Sequence, residues 1–163
     1  MWYNIYVLIY IVHSKFYMKE GKLTMEFINY NANPKNKKTG DCVIRAISTA
    51  LNQDYWKTLD EMVEITKKTG YYMSEKEGYT AYLKSKGYEK QKMPKRPDNT
   101  RYTVEEFANE LVIPEYNYII KVANHLTCLK GQDLYDTWNC SRKSVGNYWI
   151  ISKDKNPKIK VEL

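Results

Sequence analysis

The apolar residues of this 163-residue chain follow two different periods, and the change between them falls at Pro114. Before Pro114 they recur every three or four positions, which places them on one face of a helix. After Pro114, short runs rich in aromatic and β-branched residues alternate with turn residues, which is typical of strands. The pattern predicts an α+β fold, with N-terminal helices packed against a C-terminal antiparallel sheet.

The same pattern of apolar residues predicts four helices and four strands. We expect helices over 42–51, 55–68, 74–86 and 103–111, strands over 116–123, 125–130, 134–138 and 147–152, and an extended loop over 27–38. Asp41 or Thr39 is the expected N-cap of the first helix, which should bury one face. Thr103 and Glu106 have the spacing of a capping box. Short connections between the strands predict antiparallel neighbours.

Residues 1–24 are interpreted separately from the domain over 25–163. The run from Trp2 to Val12 is apolar, but it is shorter than the ~20 residues that a membrane-spanning helix needs. No basic residue precedes it, and no small-residue cleavage site follows it. We expect either an upstream extension of the reading frame, with the natural start at Met25, or a loosely attached segment. The alternative is a short membrane-surface anchor, and no stable membrane insertion is expected.

Charge and cysteine content limit the function classes. The net charge of +7 permits weak contact with nucleic acid, but no nucleic-acid-binding motif accompanies it. Cys42, Cys128 and Cys140 are an odd number without a CxxC pair, and there are two histidines. This composition argues against a disulfide framework and a structural zinc site, and it favours a reducing, cytoplasmic compartment. Without a phosphate loop or a dinucleotide fingerprint, no cofactor or metal is expected.

Three residues form a candidate catalytic group. Cys42 lies at the predicted start of the first helix, where backbone N–H groups and the helix dipole favour a thiolate and an oxyanion beside it. His125 begins the second predicted strand, and Asp136 follows eleven residues later on the third. A strand, a tight turn and a returning strand would bring His125 beside Asp136. The three residues then supply a nucleophile, a base and a carboxylate that orients the base.

Each of these residues also has an ordinary structural interpretation. A cysteine in an apolar helix is often a small core residue, a histidine at a strand end is often satisfied locally, and Asp136 could simply terminate a strand. Asn139 is the alternative orienting residue if Asp136 points away. Arg45 is expected to pair with a carboxylate and anchor its helix, and Trp138 to shield the His125–Asp136 pair from water.

The run Thr39-Gly-Asp-Cys-Val-Ile-Arg-Ala-Ile-Ser48 resembles the nucleophile motif of papain-like cysteine peptidases, and especially that of ovarian-tumour-type deubiquitinases. The segment from Asn124 to Trp138 is similar to the His and Asp strands of papain-like folds, including bacteriocin-processing double-glycine peptidases and small phage-borne cysteine peptidases. The Gly-Asn pair before the deubiquitinase cysteine is Gly40-Asp41 here, so the resemblance is carried over to fold and reaction type and not to ubiquitin as substrate.

The resemblance implies a papain-like thiol hydrolase that cleaves a peptide or isopeptide bond in a peptide or protein substrate. It assigns Cys42 as nucleophile, His125 as base and Asp136 as the orienting residue. Papain-like enzymes place a glutamine six residues before the cysteine, and Asn36 stands there, so Asn36 is the expected oxyanion donor. For a phage-encoded protein the compartment would be the cytoplasm of the bacterial host.

Two alternatives stay open at this point. The same triad would serve an acyltransferase or a deamidase, in which an amine or water accepts the acyl group. A different class is a non-enzymatic phage or mobile-element protein that binds a host protein or nucleic acid, which the basic charge and sixteen tyrosines favour. The sequence does not specify the oligomeric state.

Overall fold

The computed structural model describes residues 24–151. The elements within this range are helices α1 (Cys42–Leu51), α2 (Tyr55–Thr69), α3 (Lys76–Ser85) and α4 (Val104–Glu110), and strands β1 (Phe27–Asn29), β2 (Asn117–Val122), β3 (His125–Lys130), β4 (Asp133–Asp136) and β5 (Tyr148–Ile151). The α+β class is therefore confirmed. Apart from Thr24, the expected N-terminal extension over residues 1–24 lies outside the described residues.

The five strands form one sheet in the order β1-β4-β3-β2-β5. Neighbouring strands are antiparallel except β1 and β4, which pair in parallel with Phe27 opposite Leu134. Two predictions were therefore wrong: the sheet is mixed, and the loop expected over 27–38 begins as a strand. The three residues of β1 are too few to show an alternating pattern, and their partner lies more than 100 positions away in the chain.

The sheet is covered on both faces by helices. On one face, Ile119 of β2 and Leu126 of β3 pack with α1, α2 and α3. On the other face, Tyr118 and Ile120 of β2 pack with Phe107 of α4. Burial on both faces explains why β2 and β5 appear in the sequence as mostly apolar runs rather than as alternating ones.

Helix α1 is buried over most of its circumference. All eight residues from Val43 to Ala50 are buried, including Arg45, so the prediction of one buried face was too narrow. Asp41 occupies the N-cap position but makes no capping bond with its side chain. Its carboxylate accepts hydrogen bonds from Asn33 and Tyr55 instead. The helix that carries Cys42 is thus fixed by packing and by buried polar contacts.

The start of α4 matches its prediction. The Thr103 hydroxyl accepts a bond from the Glu106 amide at 3.2 Å, and the Glu106 carboxylate accepts one from the Thr103 amide at 2.8 Å. These two bonds satisfy N–H groups that have no partner within the helix. Helix α3 starts at Lys76, two residues after its predicted start. In residues 24–151 no helix combines the length and apolarity needed to cross a bilayer.

A glycine inside α3 provides a test of this packing. A Cβ on residue 78 would overlap the Tyr72 carbonyl oxygen. Alanine normally stabilises a helix interior by about 1 kcal/mol over glycine. We expect Gly78→Ala to lower the free energy of unfolding by about 1–3 kcal/mol, because backbone atoms must move to relieve the overlap.

Denaturant unfolding measures this change. Lys84→Ala, on the exposed side of the same helix, is the matched control and should change stability by no more than about 0.5 kcal/mol. A Gly78→Ala variant as stable as the wild type would contradict the close approach of residue 72 to α3.

Candidate active site

Cys42 is the first residue of α1 and carries a free, partly buried thiol. Its amide is one of the first four N–H groups of the helix, which have no carbonyl partner within the helix. The position agrees with the prediction from the sequence. The helix dipole adds positive potential at the same point, so the surroundings of the sulfur favour negative charge.

His125 and Asp136 meet across the hairpin formed by β3 and β4. Cys128 lies opposite Tyr135 in this pair of strands. Extending the register by one pair puts Asp136 opposite Thr127, and therefore diagonal to His125 on the same face. His125 Nε2 and Asp136 Oδ2 are 2.6 Å apart. The predicted arrangement of strand, turn and strand is confirmed, and it produces the expected contact.

The His125 ring also contacts the sulfur. Its side chain forms a hydrogen bond with Cys42, and the backbone N–H of Leu126 bonds to the same sulfur. Because Nε2 bonds to Asp136, Nδ1 is the ring nitrogen left to face Cys42. The structure therefore brings together the three residues singled out in the sequence, in the order sulfur, imidazole, carboxylate.

Electrostatics at the site favour an ion pair between Cys42 and His125. Burial by itself would raise the pKa of the Cys42 thiol, but the bonds from His125 and Leu126 and the charges of His125 and Arg45 lower it below its ordinary value. Burial by itself would lower the pKa of His125, but the bonds to Asp136 and Cys42 and their negative charges raise it to about 9. Both shifts favour the thiolate and the imidazolium over the neutral thiol and imidazole.

Asp136 is the residue that holds the ring. Burial alone would raise its pKa, yet the bond from His125, the nearby Thr127 hydroxyl, the charge of His125 and the Thr137 amide lower the pKa of this carboxyl. Asn139, the alternative orienting residue, accepts a bond from the Ser141 amide instead. Asp136 thus remains an anion that can support a positive imidazole.

Trp138 lies over the histidine. Its ring centroid is 5.2 Å from that of His125, with the two planes inclined by 56°. The indole is 41% exposed, so it forms a surface cover over a ring whose side chain is only 14% exposed. The expected shielding contact is present.

Asn36 lies in an exposed loop ahead of α1. Its side-chain oxygen accepts a bond from Asn31 at 3.3 Å, and its amide donates to the Asn33 carbonyl at 2.8 Å. Both bonds stabilise the loop, and neither joins Asn36 to Cys42. Its role as an oxyanion donor stays a prediction.

Sequence reasoning missed part of the polar surroundings of the site. Arg45 Nε lies 3.2 Å from Asp41 Oδ1, and Arg45 Nη1 donates to Thr137 Oγ1 at 3.1 Å. The pairing of Arg45 with a carboxylate was expected, and the spacing of four residues to Asp41 could have identified the partner. Thr137 lies 92 positions away from Arg45, and no local pattern indicates that contact.

Two other features of the region concern access and metal binding. A cavity of about 10 Å³ next to Cys42 and Asp136 has room for about one water, whereas a cleft of about 340 Å³ lies by Asn52 and Tyr55, at the opposite end of α1. The donor atoms of His125, Asp136 and Cys140 lie within 4.8 Å of one another. Burial raises the pKa of Cys140 to about 11, so at neutral pH it is a thiol rather than the thiolate that metals bind.

The ion pair predicts selective reactivity of one cysteine. Iodoacetamide at pH 7 should alkylate Cys42, because its pKa lies below the ordinary 9.0. Cys128 and Cys140 are buried thiols whose pKa values are raised by burial, so they serve as internal controls. Peptide mass spectrometry locates the label, and its rate against pH gives the midpoint of thiolate formation.

His125→Ala should move that midpoint upwards, because burial of Cys42 continues to raise its pKa while the largest opposing contribution is removed. Equal labelling of all three cysteines, or a midpoint that His125→Ala leaves in place, would contradict the ion pair.

Comparisons with known proteins leave the site to be interpreted from its own geometry. No protein-family model, curated protein or solved structure matches the chain.

Proposed function

We propose that the protein is a thiol hydrolase of the papain-like type, acting on a peptide or isopeptide bond. The observation that supports this most is the hydrogen-bonded series of Cys42, His125 and Asp136, in which one imidazole bonds to both the sulfur and the carboxylate. A nucleophile, a base and an orienting anion within direct contact are the requirements of acyl transfer to a thiol. A cysteine at a helix start, followed by a histidine and an aspartate on adjacent strands, also supports the papain-like interpretation of the fold.

The reaction would proceed through a thioester. The Cys42 thiolate attacks the substrate carbonyl carbon, and the carbonyl oxygen becomes an oxyanion. The His125 imidazolium then gives its proton to the leaving nitrogen as the carbon–nitrogen bond breaks. In the second half, His125 takes a proton from water, and the resulting hydroxide equivalent attacks the thioester. Collapse releases the carboxylic acid and restores the thiolate.

The start of α1 supports stabilisation of the oxyanion. The Cys42 amide is available there, and a donor aimed at the developing charge contributes about 3–4 kcal/mol to transition-state stability in enzymes of this chemistry. Asn36 is proposed as the second donor, which requires the loop before α1 to turn its amide towards the sulfur when substrate binds.

The same thioester would serve a deamidase or an acyltransferase, in which water attacks a glutamine-derived thioester or an amine replaces water. The partner in each case is a peptide or protein. Because the three thiols are free and the mechanism needs Cys42 reduced, we propose the cytoplasm as the working compartment.

A burst experiment tests the nucleophile without knowledge of the natural substrate. p-Nitrophenyl acetate should release about one equivalent of nitrophenolate rapidly and leave one acetyl group on Cys42, detected by mass spectrometry. Cys42→Ala should abolish the burst and retain the wild-type circular dichroism spectrum. Cys140→Ala, the control, should retain the burst. A Cys42→Ala protein with an undiminished burst would rule out the assignment.

Peptide substrates distinguish the possible acceptors. We expect a peptide library digested in H₂¹⁸O to give new C-termini that carry ¹⁸O if the enzyme cleaves peptide bonds. Unbroken peptides in which a glutamine has lost its amide as ammonia and become a glutamate carrying one ¹⁸O would indicate deamidation, and adducts with an added primary amine would indicate acyl transfer. Absence of all three products, together with absence of the burst, would contradict thiol hydrolase chemistry.

A further inference from the structure

Arg45 is a buried charge that joins two distant parts of the site. It is only 6% exposed, and a charge so placed is costly unless it is fully paired. One nitrogen of its guanidinium faces the Asp41 carboxylate, and another donates to the Thr137 hydroxyl at 3.1 Å. Arg45 belongs to the helix that begins at Cys42, and Thr137 directly follows Asp136. The guanidinium therefore ties the nucleophile helix to the end of β4.

The Thr137 side chain passes this contact on to Asp136. Its oxygen accepts from Arg45, so its one hydroxyl proton is free to point at Asp136 Oδ1, 3.5 Å away. The Thr137 amide donates to the same oxygen at 2.7 Å. The other carboxylate oxygen, Oδ2, bonds to His125. Each oxygen of Asp136 thus has a fixed partner, and the carboxylate has little freedom to rotate.

The other partner of Arg45, the Asp41 carboxyl group, is also held in place by hydrogen bonds. Asp41 Oδ2 accepts from Asn33 Nδ2 at 2.7 Å and from the Tyr55 hydroxyl at 3.0 Å. Burial and the nearby Asp41 carboxylate raise the pKa of Tyr55 to about 12, so this hydroxyl keeps its proton and donates. The Asp41 carboxyl group is therefore a fixed partner against which the guanidinium is oriented.

We infer that Arg45 and Thr137 are positioning residues, which hold Asp136, and through it His125, in line with Cys42. The contacts form a closed circuit from Cys42 through His125, Asp136, Thr137 and Arg45, and back to Cys42 along one turn of α1. A closed circuit restricts the relative movement of sulfur and ring, and misplacement by ~1 Å can cost ~10²-fold in rate. The inference rests on the proposed thiol chemistry, because it gives these residues a role in aligning that reaction.

The test compares Thr137→Val with Thr137→Ser. Valine keeps the shape and the backbone amide but removes the hydroxyl, whereas serine keeps the hydroxyl. We expect Thr137→Val to shift the pH midpoint of Cys42 alkylation by iodoacetamide upwards towards 9.0, because a loosened Asp136 supports the His125 cation less well. The p-nitrophenyl acetate burst rate should fall by about tenfold. Thr137→Ser should restore both quantities to near wild-type values.

Arg45→Lys is a second probe of the same chain of bonds. It keeps the positive charge but cannot keep both the contact with Asp41 and the bond to Thr137, so it should shift the midpoint in the same direction. In the Thr137→Val background it should add little further shift, because the connection is already broken. Thr58→Val removes a fully buried hydroxyl elsewhere and is the matched control. It should reduce thermal stability and leave the midpoint unchanged.

The outcomes separate the two proposals. If wild-type Cys42 is preferentially alkylated at pH 7 and Thr137→Val has the wild-type midpoint, the positioning role is overturned and the proposed function stands. If wild-type Cys42 shows no preferential alkylation, the proposed function fails and the positioning role fails with it. If Thr58→Val moves the midpoint as far as Thr137→Val does, the effect is one of general stability and the positioning role is again overturned.

Discussion

The packing of α1 on β3 is the contact on which the candidate site depends. Val43 and Ile47 of the helix lie in the same apolar cluster as Leu126 and Cys128 of the strand, and all four side chains are almost fully buried. Apolar burial of this kind is worth about 25 cal/mol for each Å² removed from water. Since the two elements cannot slide without opening this cluster, the first residue of α1 is fixed beside the first residue of β3.

That packing also removes Cys42 and His125 from water, which disfavours the charged form of each. A partly buried sulfur is harder to ionise than one in water, and a largely buried imidazole is harder to protonate. Each group alone would therefore be neutral. Together, and with Asp136 behind the ring, each charge is stabilised by its neighbour. Burial also lowers the local dielectric constant, which strengthens the attraction between these charges and offsets the cost of removing them from water. The ion pair is consequently a property of the whole series and not of Cys42 alone.

The features that the sequence predicted well are those that depend on residues close together in the chain. Helix α1, the α4 capping box and the hairpin of β3 and β4 are local patterns, and each was predicted near its observed position. The meeting of Cys42 with His125 was inferred from chemical complementarity and from the resemblance to papain-like peptidases, since no local rule relates positions 83 residues apart. Nothing in the sequence predicts the contact of Arg45 with Thr137, because threonine is uncharged and hydrogen-bonds to many kinds of group.

Strand β1 shows what a purely local interpretation loses. Its three residues have no strand pattern of their own. They form a strand because their backbone pairs with the edge of β4, whose N–H and C=O groups would otherwise have no partner in the sheet. The Tyr30 amide, just after β1, donates to the Asp136 carbonyl at 2.8 Å. This bond holds the backbone of Asp136 while Thr137 and His125 hold its side chain. The segment expected to be a loop is therefore part of the framework that keeps the carboxylate aimed at the imidazole, and the geometry of the site depends on pairing across more than 100 residues of chain.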